Sequence, residues 1–225
     1  MIHRIIIGIL FYFVGLFFVG CDLPSNTNTI IQTLSTPQPI DSGFILPLSV
    51  GNEWNYKDTG FDFDGTIKFP EIDFSYNLRI KKDTVIGGNL WSQIVSLPES
   101  NDAGFREWLS NRQNGLWEGY PQSGDSLTWL RLPYPAEAGT KATARYDEWW
   151  VVSNNVMVTV PAGTFRCYHY KVKSLGNWSY GIINDYFYSP NIGLIRINGY
   201  THTGDSTSSV YIYIQRNLIS YKVAP

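Results

Sequence analysis

The sequence predicts an all-β fold, an antiparallel meander forming an open or closed barrel, with a β-sandwich as the alternative. The first reason is alternation: Phe74, Tyr76, Leu78 and Ile80 fall on one side of a predicted strand, and Ser75, Asn77, Arg79 and Lys81 on the other. One buried and one wetted face belong to an antiparallel sheet rather than to a βαβ crossover. The second is punctuation, because turn residues break the chain into about ten or eleven short strands at the spacing of a sandwich or barrel. The third is composition: aromatic residues make up 16% of the chain, with eight Trp and fifteen Tyr, which suits cross-strand ring pairs.

In chain order, the folded part begins near Gly43 with the run from Phe44 to Tyr56, where Gly51-Asn52 is turn chemistry and Trp54 and Tyr56 share a strand face. Phe74 to Lys81 and Leu90 to Leu97 form a hairpin across Gly87-Gly88. Phe105, Trp108 and Leu109 have helical spacing, yet Asn114-Gly115 behind them is hairpin chemistry. Phe105 to Asn111 is therefore predicted as a strand, with Leu116 to Tyr120 as its return. Leu127 to Leu132 precedes a stretch broken by Pro and Gly, Pro133 to Gly139. Thr140 to Val152 and Asn155 to Val160 are predicted to pair around Ser153-Asn154. Pro161-Ala162-Gly163 turns into Phe165 to Val172, with Tyr168, Tyr170 and Val172 on one face. Ile182 to Tyr188, a Ser189-Pro190-Asn191 turn, Leu194 to Tyr200 and Val210 to Ser220 complete the meander.

Ahead of this body lie two other regions. Arg4 followed by an apolar run from Ile5 to Val19 has the layout of a secretory signal peptide, and the run is short for a membrane-spanning helix, which needs about 20 apolar residues. Phe18-Val19-Gly20-Cys21 resembles the lipobox of bacterial lipoproteins, with Phe18 where Leu is commoner. That resemblance implies cleavage before Cys21 and a diacylglycerol on its thiol. Residues 1–20 are accordingly predicted as a lipoprotein signal peptide, 21–42 as a lipid-attached flexible tether and 43–225 as a single all-β domain. The tether is rich in Ser, Thr, Asn, Gln and Pro and buries too little apolar surface to order itself; about 20 such residues span roughly 25 Å. Ile30-Ile31 is its one apolar dyad.

Composition narrows the partners. The formal charge is −2 and no basic stripe is present, so no nucleic-acid partner is expected. Cysteine occurs only at Cys21 and Cys167, and an acylated Cys21 leaves no intramolecular disulfide. The expected partners are a membrane, reached through lipidated Cys21, and an apolar ligand or an envelope protein. The expected location is the bacterial cell envelope, with the outer membrane favoured over the inner, and the expected state a monomer.

Four stretches, Leu46 to Tyr56, Asn114 to Glu118, Val158 to Phe165 (VTVPAGTF) and Tyr188 to Ile195 (YSPNIGLI), resemble the ordered landmarks of a group of uncharacterised bacterial lipoproteins. The resemblance spans most of the mature chain. It implies an all-β, open-barrel domain akin to the half-barrels of lipoprotein-carrier proteins, and it implies no activity.

Candidate chemistry is sparse, so no catalytic residue, cofactor or metal site is assigned and the chain is read as non-enzymatic, a hydrolase being the remote alternative. Cys167 and His169 share one strand face, but residues two apart on a strand lie roughly 7 Å apart, too far for a direct hydrogen bond. His202 falls in a predicted loop. Asp58, Asp62 and Asp64 before Gly65 invite a calcium reading; Gly60 and Lys68 then fall at ligand positions, and Phe61 and Phe63 say strand edge instead. Asp147 and Glu148 are adjacent and face opposite ways, so they are no glycosidase acid pair. Trp149 and Trp150 are the candidate ligand-facing aromatics, one ring facing the core and the other solvent or a cavity mouth. A wide apolar cavity would favour ligand carriage, and a flat row of exposed rings would favour carbohydrate binding.

Overall fold

The computed structural model describes residues 43–62, 64–67, 75–97, 106–120, 127–175, 183–202 and 210–224. The segments predicted as signal peptide and tether, with Cys21, lie outside these residues, as do Phe63, Lys68, Phe105 and the side chain of His202. Twelve strands run in chain order as β1 (Glu53–Gly60), β2 (Ser75–Ile86), β3 (Asn89–Leu97), β4 (Arg106–Arg112), β5 (Gly115–Gly119), β6 (Thr128–Pro133), β7 (Lys141–Thr143), β8 (Asp147–Val160), β9 (Gly163–Ser174), β10 (Ile183–Ser189), β11 (Gly193–His202) and β12 (Val210–Lys222). No α-helix occurs among the described residues.

All twelve strands form one antiparallel sheet in the order β6-β5-β4-β3-β2-β1-β12-β11-β10-β9-β8-β7. Among the described residues the single non-consecutive strand pairing is β1 with β12, from Glu53 opposite Lys222 to Gly60 opposite Ile214. Two meandering arms thus grow from a central pair, and their edge strands β6 and β7 come side by side without joining a ladder. The result is a nearly closed barrel rather than the half-barrel implied by the lipoprotein-carrier likeness, and not a sandwich. Register shifts at Asn55/Tyr56, Ile80/Lys82, Phe187/Tyr188 and Gly199/Tyr200 insert extra residues; such bulges bend and twist strands, which lets a meander curl towards closure.

The inward faces follow the period of two. Trp54 and Tyr56 on β1, Ile80 on β2, Leu116 on β5, Tyr168 and Tyr170 on β9 and Leu218 on β12 are almost completely buried and form one core. One end of this core is stoppered by residues 44–50, which lie across it. The Asn191 N–H donates to the Phe44 carbonyl at 2.7 Å, Asn111 Nδ2 to the Leu46 carbonyl at 2.9 Å and Ser92 Oγ to the Leu48 carbonyl at 3.0 Å. Two strands, β3 and β4, and the β10–β11 turn therefore hold a segment that has no ladder of its own. Gly193 is needed where the stopper meets β11: it has φ +106°, and a Cβ there would stand 2.5 Å from Leu46 Cδ1.

Two turns differ from expectation. The Ser153-Asn154 turn does not exist, because β8 runs unbroken from Asp147 to Val160 and the extra residues are absorbed as bulges against β9. The chain reverses instead at Arg145-Tyr146, between β7 and β8. The Asn114-Gly115 hairpin is displaced by one residue: Gln113-Asn114 makes the turn and Gly115 opens β5. Gly115 is required for a different reason, since a Cβ there would stand 2.0 Å from the Leu132 carbonyl oxygen of β6. The tip of the long β8–β9 hairpin folds over the outside of β11 and β12. There the Ala162 N–H donates to the Leu218 carbonyl at 3.2 Å, and the Phe165 and Tyr221 rings lie 6.0 Å apart.

Candidate functional site

The barrel encloses a cavity of about 190 Å³. Its pole nearest the stopper is apolar, formed by Leu46, Trp54, Leu78, Leu109, Leu116 and Leu194, while Tyr76, Glu107, Arg131, Tyr186, Tyr188 and Arg216 line the remainder. The two poles follow from position along the strands. Trp54 sits at the stoppered start of β1, and Asp58, the next inward position beyond Tyr56, lies towards the opposite end.

Asp58 lies directly across the ladder from Arg216. Arg216 donates to it in a two-pronged pair, Nε to Oδ1 and Nη2 to Oδ2, both at 2.7 Å, and the guanidinium covers the Tyr76 ring at 4.1 Å. The second ion cluster comes from β4, β5 and β6. Arg131 Nη1 donates to Glu107 Oε2 and, at 3.2 Å, to Glu118 Oε2. Arg131 points inward because of a bulge: Leu116 pairs with Leu132 and Trp117 with Leu130, which leaves Arg131 as the extra residue. Its side chain is only 19% exposed.

Burial opposes the charge of Arg131, but Glu107, Tyr188 and Glu118 beside it more than offset that and hold the guanidinium protonated. Burial pushes the Glu118 carboxyl above the usual range, against the pull of Arg131. Burial also raises the Tyr76 phenol to about 12 and the Tyr186 and Tyr188 phenols as well, so all three are neutral hydrogen-bonding groups at physiological pH. The polar pole therefore holds two guanidiniums against three carboxylates and carries no excess positive charge. Its aromatic and aliphatic counterpart offers packing and few hydrogen bonds.

Trp149 and Trp150 divide as adjacent strand residues should. Trp149 is buried inside, 5.0 Å from the Tyr186 ring and 5.8 Å from the Arg131 guanidinium. Trp150 faces outward beneath Lys141 Nζ at 6.0 Å. Neither lines the cavity; Trp149 stands behind the groups that do.

Cys167 and His169 lie on the face of β9 opposite Tyr168 and Tyr170, and they do not pair. Cys167 Sγ approaches the Phe165 carbonyl at 3.6 Å, and burial pushes its thiol up to about 12, which makes it inert. His169 Nε2 lies 2.8 Å from Asp185 Oδ1, its ring stacked on Phe187 at 4.6 Å, while Tyr200 OH donates to Asp185 Oδ2 at 2.6 Å. Burial raises the Asp185 carboxyl, but the His169 and Tyr200 hydrogen bonds outweigh it and leave it below the usual range. A depressed pKa contributes stability that is present above the ordinary carboxylate value of about 3.9 and lost as pH falls through the lower folded value. Asp185→Asn is expected to cost about 1 kcal/mol at pH 7 after allowance for solvent screening, and the gap from wild type should close as pH falls below the ordinary carboxylate value of about 3.9 in denaturant titrations.

Among the described residues no group of three or more His, Cys, Asp or Glu side chains is placed to hold a metal ion. Asp58 belongs to the Arg216 pair, and Asp64 Oδ1 accepts from Thr66 N–H and Oγ1 at 2.9 and 2.7 Å.

No protein family's sequence profile matches the chain, and no curated protein matches it by sequence. Solved structures do. A protein from Bacteroides fragilis, described as exported and of YmcC-like fold, covers 80% of this chain with all of its own length, at 12% identity and a TM-score of 0.50. The fold is YmcC-like. A protein from Parabacteroides distasonis, described as a lipoprotein, covers 81% of the chain with all of its own length, at 16% identity and a TM-score of 0.45. At such identities the likeness speaks for the YmcC-like barrel alone.

Sequence reasoning missed the buried ion clusters, although part of the signal was present. Asp58 continues the apolar face of Trp54 and Tyr56, and Arg216 interrupts the face made by Ile212, Ile214 and Leu218. A charge on the apolar face of an alternating strand points to an interior partner.

Proposed function

We propose that this chain is a lipid-anchored protein of the bacterial cell envelope, the outer membrane favoured over the inner, whose barrel holds a small amphipathic ligand without transforming it. The observation that carries the ligand reading is the 190 Å³ cavity with one apolar and one ionic pole. A cavity of about 150 Å³ accommodates benzene, so this one suits a single ring or short chain with a compact head and is far too small for a two-chain lipid. The two guanidiniums are matched by three carboxylates, which disfavours an anionic head, so the head is a neutral hydrogen-bonding group such as an amide or ketone. The inert Cys167 and the outward His169 support a binding role over a catalytic one. The exported description of the Bacteroides fragilis structure supports the envelope placement, with Cys21 as the proposed attachment point.

Calorimetric titration of benzamide, benzoate and benzylamine tests the ligand reading with one ring and three heads. Benzamide is expected to bind and Leu109→Trp, which fills the cavity, to abolish it; failure of all three probes to bind overturns the reading. Cys21→Ser is expected to release the protein from membranes on fractionation, and continued sedimentation with membranes overturns the anchor. A second reading, carbohydrate binding by exposed rings, finds a better platform than Trp149 and Trp150 in Tyr120 and Tyr146, 49% and 55% exposed, which flank Arg145 beside Trp129.

A further inference from the structure

The stoppered end of the barrel carries an apolar rim that the ligand reading does not use. Phe44 is 54% exposed, Val50 51%, Val85 67% and Leu90 55%. Val85 and Leu90 face each other across the β2–β3 ladder close to its Gly87-Gly88 tip, and a cross-strand apolar pair left this open to water loses the burial that ordinarily stabilises it. Phe44, Leu48, Val50, Leu90 and Val223 line a recess of about 780 Å³ at this end. Exposed Lys81 and Lys82 lie on β2 behind the hairpin tip, and exposed Lys222 ends β12.

The covalent path of the chain tells what this rim faces. The described body begins at Gly43, next to Phe44 and inside the rim, and the residues that precede it lead back to Cys21. A body held by a lipid on Cys21 is drawn to the bilayer by the end at which the chain enters it. We propose that this rim is a membrane-docking surface: Phe44, Val50, Val85 and Leu90 enter the interface between headgroups and acyl chains, and Lys81, Lys82 and Lys222 meet the phosphates. That combination of apolar side chains with flanking cations is the chemistry of interfacial attachment. The choice of a lipid surface over a protein partner rests on the reading of Cys21 as the anchor. The stopper then faces the membrane, and the ionic pole of the cavity faces away from it.

The test separates docking from anchoring by removing the anchor. The chain from Cys21 to Pro225 carrying Cys21→Ser is floated with vesicles of phosphatidylethanolamine and phosphatidylglycerol, alone and with Phe44→Asp, Val85→Asp and Leu90→Asp combined. The parent is expected to float in part. The triple variant should partition at least about tenfold more weakly, with the same thermal midpoint and the same benzamide affinity. A parent that stays at the bottom, or a triple variant that floats equally well, overturns the proposal. Two further outcomes overturn it by naming another occupant: self-association that the same substitutions abolish assigns the rim to a second copy, and faster proteolysis of residues 22–42 in the triple variant without a change in flotation assigns it to the tether.

Discussion

Arg131→Met should cost about 3 kcal/mol or more at pH 7, because it leaves Glu107 and Glu118 in the barrel interior without their cation, the circumstance in which breaking a buried pair is most expensive. Glu118, already raised by burial and held down by Arg131, would then hold its proton to higher pH. A folded pKa raised above the unfolded one contributes stability that is complete below the unfolded value, about 4.3 for Glu, and lost as pH rises through the folded value. The variant is therefore expected to recover much of its deficit between pH 7 and pH 5 in urea titrations, where wild type changes little. Adding Glu107→Gln and Glu118→Gln should restore most of the loss at pH 7, since the three groups act as one unit. A pH-independent deficit, or one that the two glutamines leave untouched, would show that Arg131 matters through packing alone.

Trp54→Ala is expected to be at least as damaging, by about 3–5 kcal/mol. Trp54 is completely buried, forms the apolar floor of the cavity and donates from Nε1 to the Ile192 carbonyl at 2.5 Å. Truncation enlarges an existing cavity, leaves that carbonyl without its donor and frees the stopper where Leu46 packs on Gly193. Trp54→Phe keeps most of the ring and should cost about 1–2 kcal/mol, whereas Trp150→Ala, on the outer face, should cost no more than about 1 kcal/mol. Thermal and urea unfolding of the three variants checks the order; equal costs for Trp54→Ala and Trp150→Ala would remove the distinction between the inner and outer walls.

The two arginines show how far reading along the chain can go. Arg216 and Asp58 occupy inward positions of strands whose alternation is regular up to them, so their burial was readable although their pairing was not. Arg131 was hidden. In Trp129-Leu130-Arg131-Leu132, regular alternation sends Leu132 in and Arg131 out, but the bulge against Leu116 and Trp117 turns both inward. Ser153-Asn154 misled for the same reason, since a bulge and a turn draw on the same polar residues and only the partner strand decides between them.

What the sequence by itself determined is the local chemistry: β-structure throughout the body, most hairpins, the aromatic core of Trp54, Tyr56, Tyr168 and Tyr170, and the scarcity of catalytic groups. These follow from period-two alternation and from turn residues, which act over a few positions. The tertiary structure decided the rest. Pairing of β1 with β12 joins residues about 160 positions apart, the stopper is held by two strands and the β10–β11 turn, and the ion clusters draw on five strands. Such pairings depend on register and curvature summed around the barrel, and no stretch of the chain contains that sum.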